Sequence, residues 1–155
     1  MIENREKNNE RRKYMKKIIL ATLFAFGLSN SAFAAVQNLN CTLNSWEEQG
    51  WVPDRILFSV DPEAKQARVF DGNINEVEGK PITAKFKIIR GGKYRMSWKL
   101  DLITTTGTKM RANYTATYDP KSTKFNVRVH FPMANLANSP SGDGSCKDNK
   151  GQSLF

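Results

Sequence analysis

Strict alternation of apolar and polar side chains runs through four consecutive stretches, residues 82–90, 93–102, 109–118 and 124–131. In the second stretch Tyr94 shares one parity with the other apolar residues, and the charged side chains fall on the opposite parity. A repeat of two residues is typical of a β-strand, and the helical spacing i, i+3, i+4 is not sustained in these stretches. The pattern predicts four antiparallel strands in a meander, with one face of each strand buried.

The parity of the buried positions also constrains the turns, because directly opposed residues share a face. Ile88 and Tyr94 both point inward, so an odd number of loop residues is expected between their strands. A three-residue loop with a glycine at positive φ meets that requirement. Tyr118 and Phe125 require an even loop, and the four residues 119–122, which begin with Asp-Pro, supply it.

A hairpin around 56–70 and a first strand around 39–43 precede this meander. Residues 71–81 read as a polar connection, and the segment from about 132 onward, rich in Pro, Ser and Gly, is expected to be irregular. About seven to eight strands in roughly 120 residues predict an all-β domain. A small closed barrel is favoured because neighbouring strands follow each other along the chain, and a two-sheet β-sandwich is the alternative.

The first 34 residues carry the three parts of a secretory signal peptide. Lys16 and Lys17 precede the apolar run 18–28, and Ala32-Phe33-Ala34 provides an A-x-A cleavage site. The alternative is an uncleaved anchor or a buried helix, although 11 apolar residues are short for a bilayer span. We expect Met15 to be the start, residues 1–14 to be an additional extension, and residues 35–155 to form one periplasmic or secreted bacterial domain without a transmembrane segment.

Cys41 and Cys146 are the two cysteines of the chain. In an exported protein of this size they predict a disulfide, with two unpaired thiols as the alternative. Closing a loop of about 100 residues is expected to stabilise the fold by roughly 4–5 kcal/mol if the effect is entropic. Two distant cysteines and one histidine supply neither a C-x-x-C redox pair nor a metal site, so no metal or cofactor is predicted.

The net charge of +9 is unevenly distributed along the chain. Residues 36–79 contain three basic and eight acidic side chains, which gives −5, whereas residues 80–128 contain twelve basic and two acidic ones, which gives +10. Alternation places most of these cations on the outward face of the meander. The eight residues predicted to form an anion-binding face are Lys85, Lys87, Arg95, Lys99, Lys109, Arg111, Lys124 and Arg128.

Like charges on adjacent strands repel unless an anionic partner compensates them. The outward cations therefore suggest a lipid headgroup, a lipopolysaccharide phosphate or an acidic protein as the partner. The alternative is that they only keep the sheet solvated and its edges unpaired. Nucleic acid is disfavoured, because export separates the protein from it and the outward face lacks aromatic residues that stack on bases.

The inward face raises a second hypothesis, a small-ligand carrier with a cavity inside the barrel. The residues predicted to line that cavity are Tyr94, Met96, Trp98, Met110 and Tyr114. The alternative is that these side chains fill the core. Small alanines at positions 84, 112 and 116 are compatible with either arrangement.

Clusters of residues that support catalysis are absent from this sequence. His130 is the single histidine, falls on the outward parity and has no nucleophile at a meaningful spacing. We therefore expect a binding protein and no enzyme. Inhibition of a secreted enzyme is a further alternative, because small disulfide-bonded β proteins of the bacterial envelope include lysozyme inhibitors. A basic lysozyme would have to contact the acidic segment 36–79.

Overall fold

A computed structural model describes residues 35–45, 49–104, 106–133, 139–151 and 153–155, and the predicted signal peptide lies outside them. Within the described residues the chain forms eight antiparallel strands that close into a barrel in sequence order, with β8 beside β1, and this confirms the predicted barrel. The strands are β1 (Gln37–Ser45), β2 (Arg55–Asp61), β3 (Gln66–Asp71), β4 (Ile82–Ile89), β5 (Lys93–Ile103), β6 (Lys109–Tyr118), β7 (Lys124–His130) and β8 (Ser141–Asp148).

The register of the central hairpins follows the parity of their apolar residues. Ile88 lies opposite Tyr94, and the three residues Arg90–Gly92 connect β4 to β5. The first of their two glycines has a φ of 81° and the second a φ of 77°, values that favour glycine. Tyr118 lies opposite Phe125 across the turn between β6 and β7. Both predictions of loop parity are therefore confirmed.

The prediction of an irregular tail from about residue 132 is wrong for β8 (Ser141–Asp148), which pairs with both β1 and β7. Its inward positions include Gly142 and Gly144, which provide no apolar signal in the sequence. Glycine is required at 144, because a Cβ there would overlap the backbone carbonyl of Thr42. The strand forms because β1 and β7 both offer unpaired backbone groups to it, despite its weak intrinsic preference for β structure.

The connection between β3 and β4 contains a helix, α1 (Gly72–Glu78), where the sequence pattern indicated only a polar loop. Asp71 caps its N-terminus, since the carboxylate accepts a 2.8 Å hydrogen bond from the Ile74 backbone amide. Gly79 ends it in the left-handed conformation with φ of 65°. Ile74 is completely buried, so this short helix covers one end of the barrel. Among the described residues, no helix is long and apolar enough to cross a bilayer.

The predicted disulfide between Cys41 and Cys146 is present and joins β1 directly to β8. Both cysteines are buried on the inner side of the barrel wall. The disulfide therefore closes the seam of the barrel between two directly paired strands. The residues after β8 are held separately, because the backbone amide of Leu154 donates a 2.8 Å hydrogen bond to the Ser59 hydroxyl.

The barrel has two ends that carry different connections. The end that carries residues 62–65, Arg90–Gly92 and 119–123 is called the hairpin end. The opposite end, called the helix end, carries α1 and the connections 49–54 and 104–108. Apolar side chains from all eight described strands fill the space between the two ends, with Cys146 as the buried contribution of β8.

Candidate functional site

The basic and acidic segments of the chain occupy different parts of the barrel wall. Because each strand pairs with the next, the acidic segment 36–79 forms β1–β3 and α1, and the basic segment 80–128 forms β4 to β6 and most of β7. All eight cations of the predicted anion-binding face are exposed on this wall. The uneven charge of the sequence thus becomes an uneven charge around the barrel.

The densest group of cations lies on β4 and β5 near the hairpin end. Lys87 and Arg95 are directly opposite each other across the two strands. Lys85 lies opposite Ser97, two residues further from the turn, and Lys99 follows diagonally. Directly opposed like charges destabilise a strand pair. Neither Lys87 nor Arg95 forms an ion pair with a carboxylate among the described residues.

These cations belong to a hairpin that extends past its neighbour on one side. β3 pairs with β4 only as far as Lys85, so residues 86–89 are paired with β5 alone. The connecting turn adds Arg90, and Lys93 lies 3.8 Å from the carboxylate of Asp119. Residues 85–95, called the basic hairpin here, contain the cations Lys85, Lys87, Arg90, Lys93 and Arg95 and no acidic side chain.

An apolar residue accompanies the cations at the tip of the basic hairpin. Ile88 has the inward parity but is 55% exposed, because it lies beyond the mouth of the barrel. The mouth itself is filled by aromatic rings, since Tyr94 contacts Phe86 at a centroid distance of 5.2 Å and Tyr118 at 6.0 Å. Burial, with smaller contributions from Asp148, Tyr94 and Asp119, raises the pKa of the Tyr118 hydroxyl above its ordinary value of 10.0, so this hydroxyl is neutral at pH 7 as an unshifted tyrosine would also be.

The predicted face carries less positive charge toward the helix end. Arg111 forms a two-pronged ion pair with Asp101, with nitrogen–oxygen distances of 2.7 and 2.8 Å. The hydrogen bonds from Arg111 lower the pKa of Asp101, and Lys109 adds a smaller contribution in the same direction. The Asp101 carboxylate therefore neutralises Arg111 and leaves one net positive charge here, that of Lys109, and these two cations do not belong to the basic hairpin.

The remaining two predicted cations lie on β7. Arg128 is opposite Thr115 and is separated from Lys85 by two polar positions in the same cross-strand row. Three strand spacings correspond to about 14 Å between the backbones of Lys85 and Arg128. Lys124 lies at the start of β7, opposite Ser145. Both residues flank the basic hairpin at a distance instead of forming one continuous patch with it.

The residues predicted to line a cavity pack against one another inside the barrel. Trp98 stacks on Tyr114 with a centroid distance of 5.0 Å and an angle of 4° between the rings. Phe58 contacts the edge of Trp98 from across the interior at 5.7 Å. Met96 is fully buried and Met110 is half-buried. Two buried polar atoms in the described residues have no hydrogen-bond partner, Trp98 Nε1 and Asn113 Oδ1.

The helix end holds the titratable group that the sequence patterns missed. Asp71 is only 6% exposed, and burial raises the pKa of its carboxyl to about 6, although hydrogen bonds from two backbone amides act in the opposite direction. A small cavity of about 150 Å³ opens beside α1 and is lined by Trp51, Glu76 and Ile103 among others. No cluster of three metal-ligating side chains occurs within the described residues, and His130 is exposed.

The predicted anion-binding face lacked Arg90 and Lys93, two cations of the basic hairpin, and it also lacked the exposed Ile88. Parity places Ile88 in the core, and Arg90 falls in a turn. Ile88 is exposed because β4 extends past the last residue that pairs with β3. The alternation of apolar and polar residues does not define the relative lengths of neighbouring strands well. The run of cations around two consecutive isoleucines was the available sequence signal for this tip.

Comparison of the chain with protein-family models, with curated proteins and with solved structures finds no match. The barrel by itself assigns no activity, since closed barrels of this size have unrelated functions. The chemistry of the basic hairpin is therefore the strongest available indication of function.

Proposed function

We propose that this protein binds the phosphate groups of an anionic membrane surface outside the cytoplasm, through its basic hairpin. The observation that carries the proposal is the direct opposition of Lys87 and Arg95 without a carboxylate partner among the described residues. Other cations on the same wall, Lys93 and Arg111, do have such partners. A bound anion would compensate the repulsion that remains between Lys87 and Arg95.

An extracytoplasmic location is supported by two independent features. The first is the buried disulfide between Cys41 and Cys146 at the barrel seam, since disulfides persist in oxidising compartments. The second is the predicted signal peptide that ends at Ala34. In that location the abundant polyanions are phospholipid headgroups and lipopolysaccharide, which share phosphate chemistry. The guanidinium fork of Arg95 suits phosphate oxygens, and Lys87 adds a compact point charge.

Binding fits the basic hairpin better than catalysis, because the hairpin contains no carboxylate, histidine, serine or cysteine that could act as a base or nucleophile. A carrier function has less support, because Phe58, Trp98 and Tyr114 contact one another in the barrel interior. Inhibition of a basic enzyme would use the acidic segment 36–79, where the registers of β1 with β2 and of β2 with β3 place no two acidic side chains directly opposite each other.

Cosedimentation with vesicles tests the proposal, using the exported protein after mass spectrometry has established its N-terminus. Wild type is expected to bind vesicles of phosphatidylglycerol and phosphatidylcholine, to release them as salt is raised, and to ignore pure phosphatidylcholine. The double variant Lys87→Gln/Arg95→Gln should bind roughly thirty-fold more weakly, since each cation near such a surface contributes about 1 kcal/mol.

The matched control is Lys80→Gln/Lys109→Gln, which removes the same charge from exposed positions toward the helix end. We expect this control to retain near wild-type affinity. Equal losses in both double variants would mean that only net charge matters, and would contradict a site at the basic hairpin. A parallel series with lipopolysaccharide in the vesicles distinguishes the two sources of phosphate.

A further inference from the structure

The tip of the basic hairpin combines features that suit a bilayer interface better than a soluble anion. We propose that Ile88 inserts into an anionic phospholipid bilayer down to the boundary between headgroups and acyl chains, while the neighbouring cations bind the phosphates. This inference rests on the proposed function and adds to it the way in which the protein is seated on the membrane.

The exposure of Ile88 is the first argument. Its inward neighbour on the same strand, Phe86, is 8% exposed, whereas Ile88 is 55% exposed. The barrel therefore buries Phe86 and leaves Ile88, the next inward position along β4, in contact with solvent. Ile89, on the other face of the hairpin, is half-buried, so both faces of the tip carry an aliphatic side chain. An exposed aliphatic tip is costly in water and favourable in a bilayer interface.

The position of the cations is the second argument. Lys87 precedes Ile88 by one residue, and Arg95 follows Tyr94, the partner of Ile88, by one residue. Each step along a strand is about 3.3 Å, so these two charges lie just behind Ile88, while Arg90 and Lys93 lie beyond it at the turn. Their long side chains can extend toward phosphates while the stems cover apolar surface. This spacing is compatible with an interfacial depth of roughly 5–10 Å.

The outline of the hairpin is the third argument. The turn Arg90–Gly92 has two glycines, and a Cβ added to either would meet no atom within 4 Å, so space is open beside both glycines, while Lys93 contacts Asp119 of the turn between β6 and β7. Measured along the strands, β4 continues four residues past the last pair with β3, or about 13 Å. Asp61 and Glu63, the acidic residues of the neighbouring turn, therefore lie behind the tip and away from the phosphates.

A glycerophospholipid bilayer fits these distances best. Apolar contact by Ile88 requires acyl chains directly beneath the phosphates that Lys87 and Arg95 bind. The sugars of lipopolysaccharide add a polar layer at that level, so the same hairpin would reach phosphate there without reaching hydrocarbon. Insertion is therefore expected to be a property of binding to phospholipid.

The experiment compares Ile88→Ser with Ile103→Ser in vesicles of phosphatidylglycerol and phosphatidylcholine. Ile103 is the matched control, because it is 65% exposed and ends β5 at the helix end. We expect Ile88→Ser to weaken vesicle binding roughly ten-fold, as estimated from the apolar area of a half-exposed isoleucine, and Ile103→Ser to leave it unchanged. Both sites are exposed, so both variants should fold, and circular dichroism checks that they do.

A second measurement reports depth directly. In Ile88→Trp, quenching by lipids brominated on their acyl chains should exceed that of wild type, whose own tryptophans supply the background, and Ile103→Trp should show no increase. Vesicle binding that is insensitive to Ile88→Ser, with no added quenching, would overturn insertion and leave phosphate binding intact. Absence of vesicle binding by wild type would overturn the proposed function and the insertion together.

Discussion

The two ends of the barrel differ in what surrounds their apolar residues. At the helix end Ile74 of α1 is completely buried. Trp51 packs against the core there, with its ring centroid 5.0 Å from that of Phe131. At the hairpin end Ile88 is 55% exposed. The two arginines differ as well, since Arg111 near the helix end is paired with Asp101 and Arg95 has no carboxylate partner among the described residues, although Lys93 beside it contacts Asp119. Aromatic rings also fill the mouth at the hairpin end, and the helix end has an exposed isoleucine of its own, Ile103. What distinguishes the hairpin end is that its exposed isoleucine, Ile88, lies among the cations of the basic hairpin.

The largest difference between the two ends is expected when Ile74 and Ile88 are each truncated to alanine. Ile74→Ala removes fully buried apolar volume and should lower the free energy of unfolding by about 2–5 kcal/mol. Ile88→Ala, at the exposed tip, should change it by less than about 0.5 kcal/mol. Urea denaturation of both exported variants measures the difference. A large loss of stability in Ile88→Ala would show that the tip belongs to the core and would contradict its role as a free surface.

The next largest expected effect is a dependence of the free energy of unfolding on pH, caused by Asp71 at the helix end. Because burial raises the pKa of the Asp71 carboxyl from its ordinary value of 3.8 to about 6, folding favours the protonated form of this group. This stabilisation is complete below pH 3.8 and is lost as the pH rises through about 6. The free energy of unfolding should therefore fall by about 2–3 kcal/mol between pH 4 and pH 7.

Asp71→Asn keeps an N-capping side chain without the charge, and its stability should be nearly independent of pH in this window. It should exceed wild type at pH 7 and match it near pH 4. A variant that keeps the wild-type slope would exclude Asp71 as the cause. Below the window the sign reverses, because hydrogen bonds lower the pKa values of Asp101 and Asp119 from 3.8 and stability is lost as these groups become protonated.

The contrast between β5 and β8 shows what could be predicted from the sequence and why. β5 alternates without interruption, so its strand, its inward face and the register of Ile88 opposite Tyr94 follow from parity. β8 has glycine at 142 and 144, and it forms only because β1 and β7 are both present to pair with it. Such a strand is specified by its neighbours and carries little local signal.

The candidate site shows the same limit. Alternation places eight cations on one face, but it does not show that Arg111 meets Asp101, which depends on the register of β5 with β6. It also does not show that Ile88 lies past the last residue of β4 that pairs with β3. The composition of the face was therefore predictable, and its division into a neutralised part and a free part required the three-dimensional arrangement.

The smallest expected effect is the change in the protein's free energy of unfolding when one of the two opposed cations is removed. Arg95→Thr removes the repulsion with Lys87 and should raise the free energy of unfolding by roughly 0.2–0.5 kcal/mol at low salt. Arg111→Thr breaks the ion pair with Asp101 and should lower the free energy of unfolding. Both changes should fade in high salt because the groups are exposed. Thermal denaturation at two salt concentrations measures them, and a loss of stability in Arg95→Thr would mean that this cation already has a stabilising partner.

The central claim, that the hairpin end is the membrane-binding end, is tested most directly by hydrogen exchange of the exported protein with and without nanodiscs. The discs contain phosphatidylglycerol and phosphatidylcholine in one series and phosphatidylcholine alone in the other. We expect phosphatidylglycerol discs to slow exchange in the basic hairpin, residues 85–95, and to leave α1 (Gly72–Glu78) unchanged. Protection at α1, or no protection anywhere in the described residues, would contradict the claim.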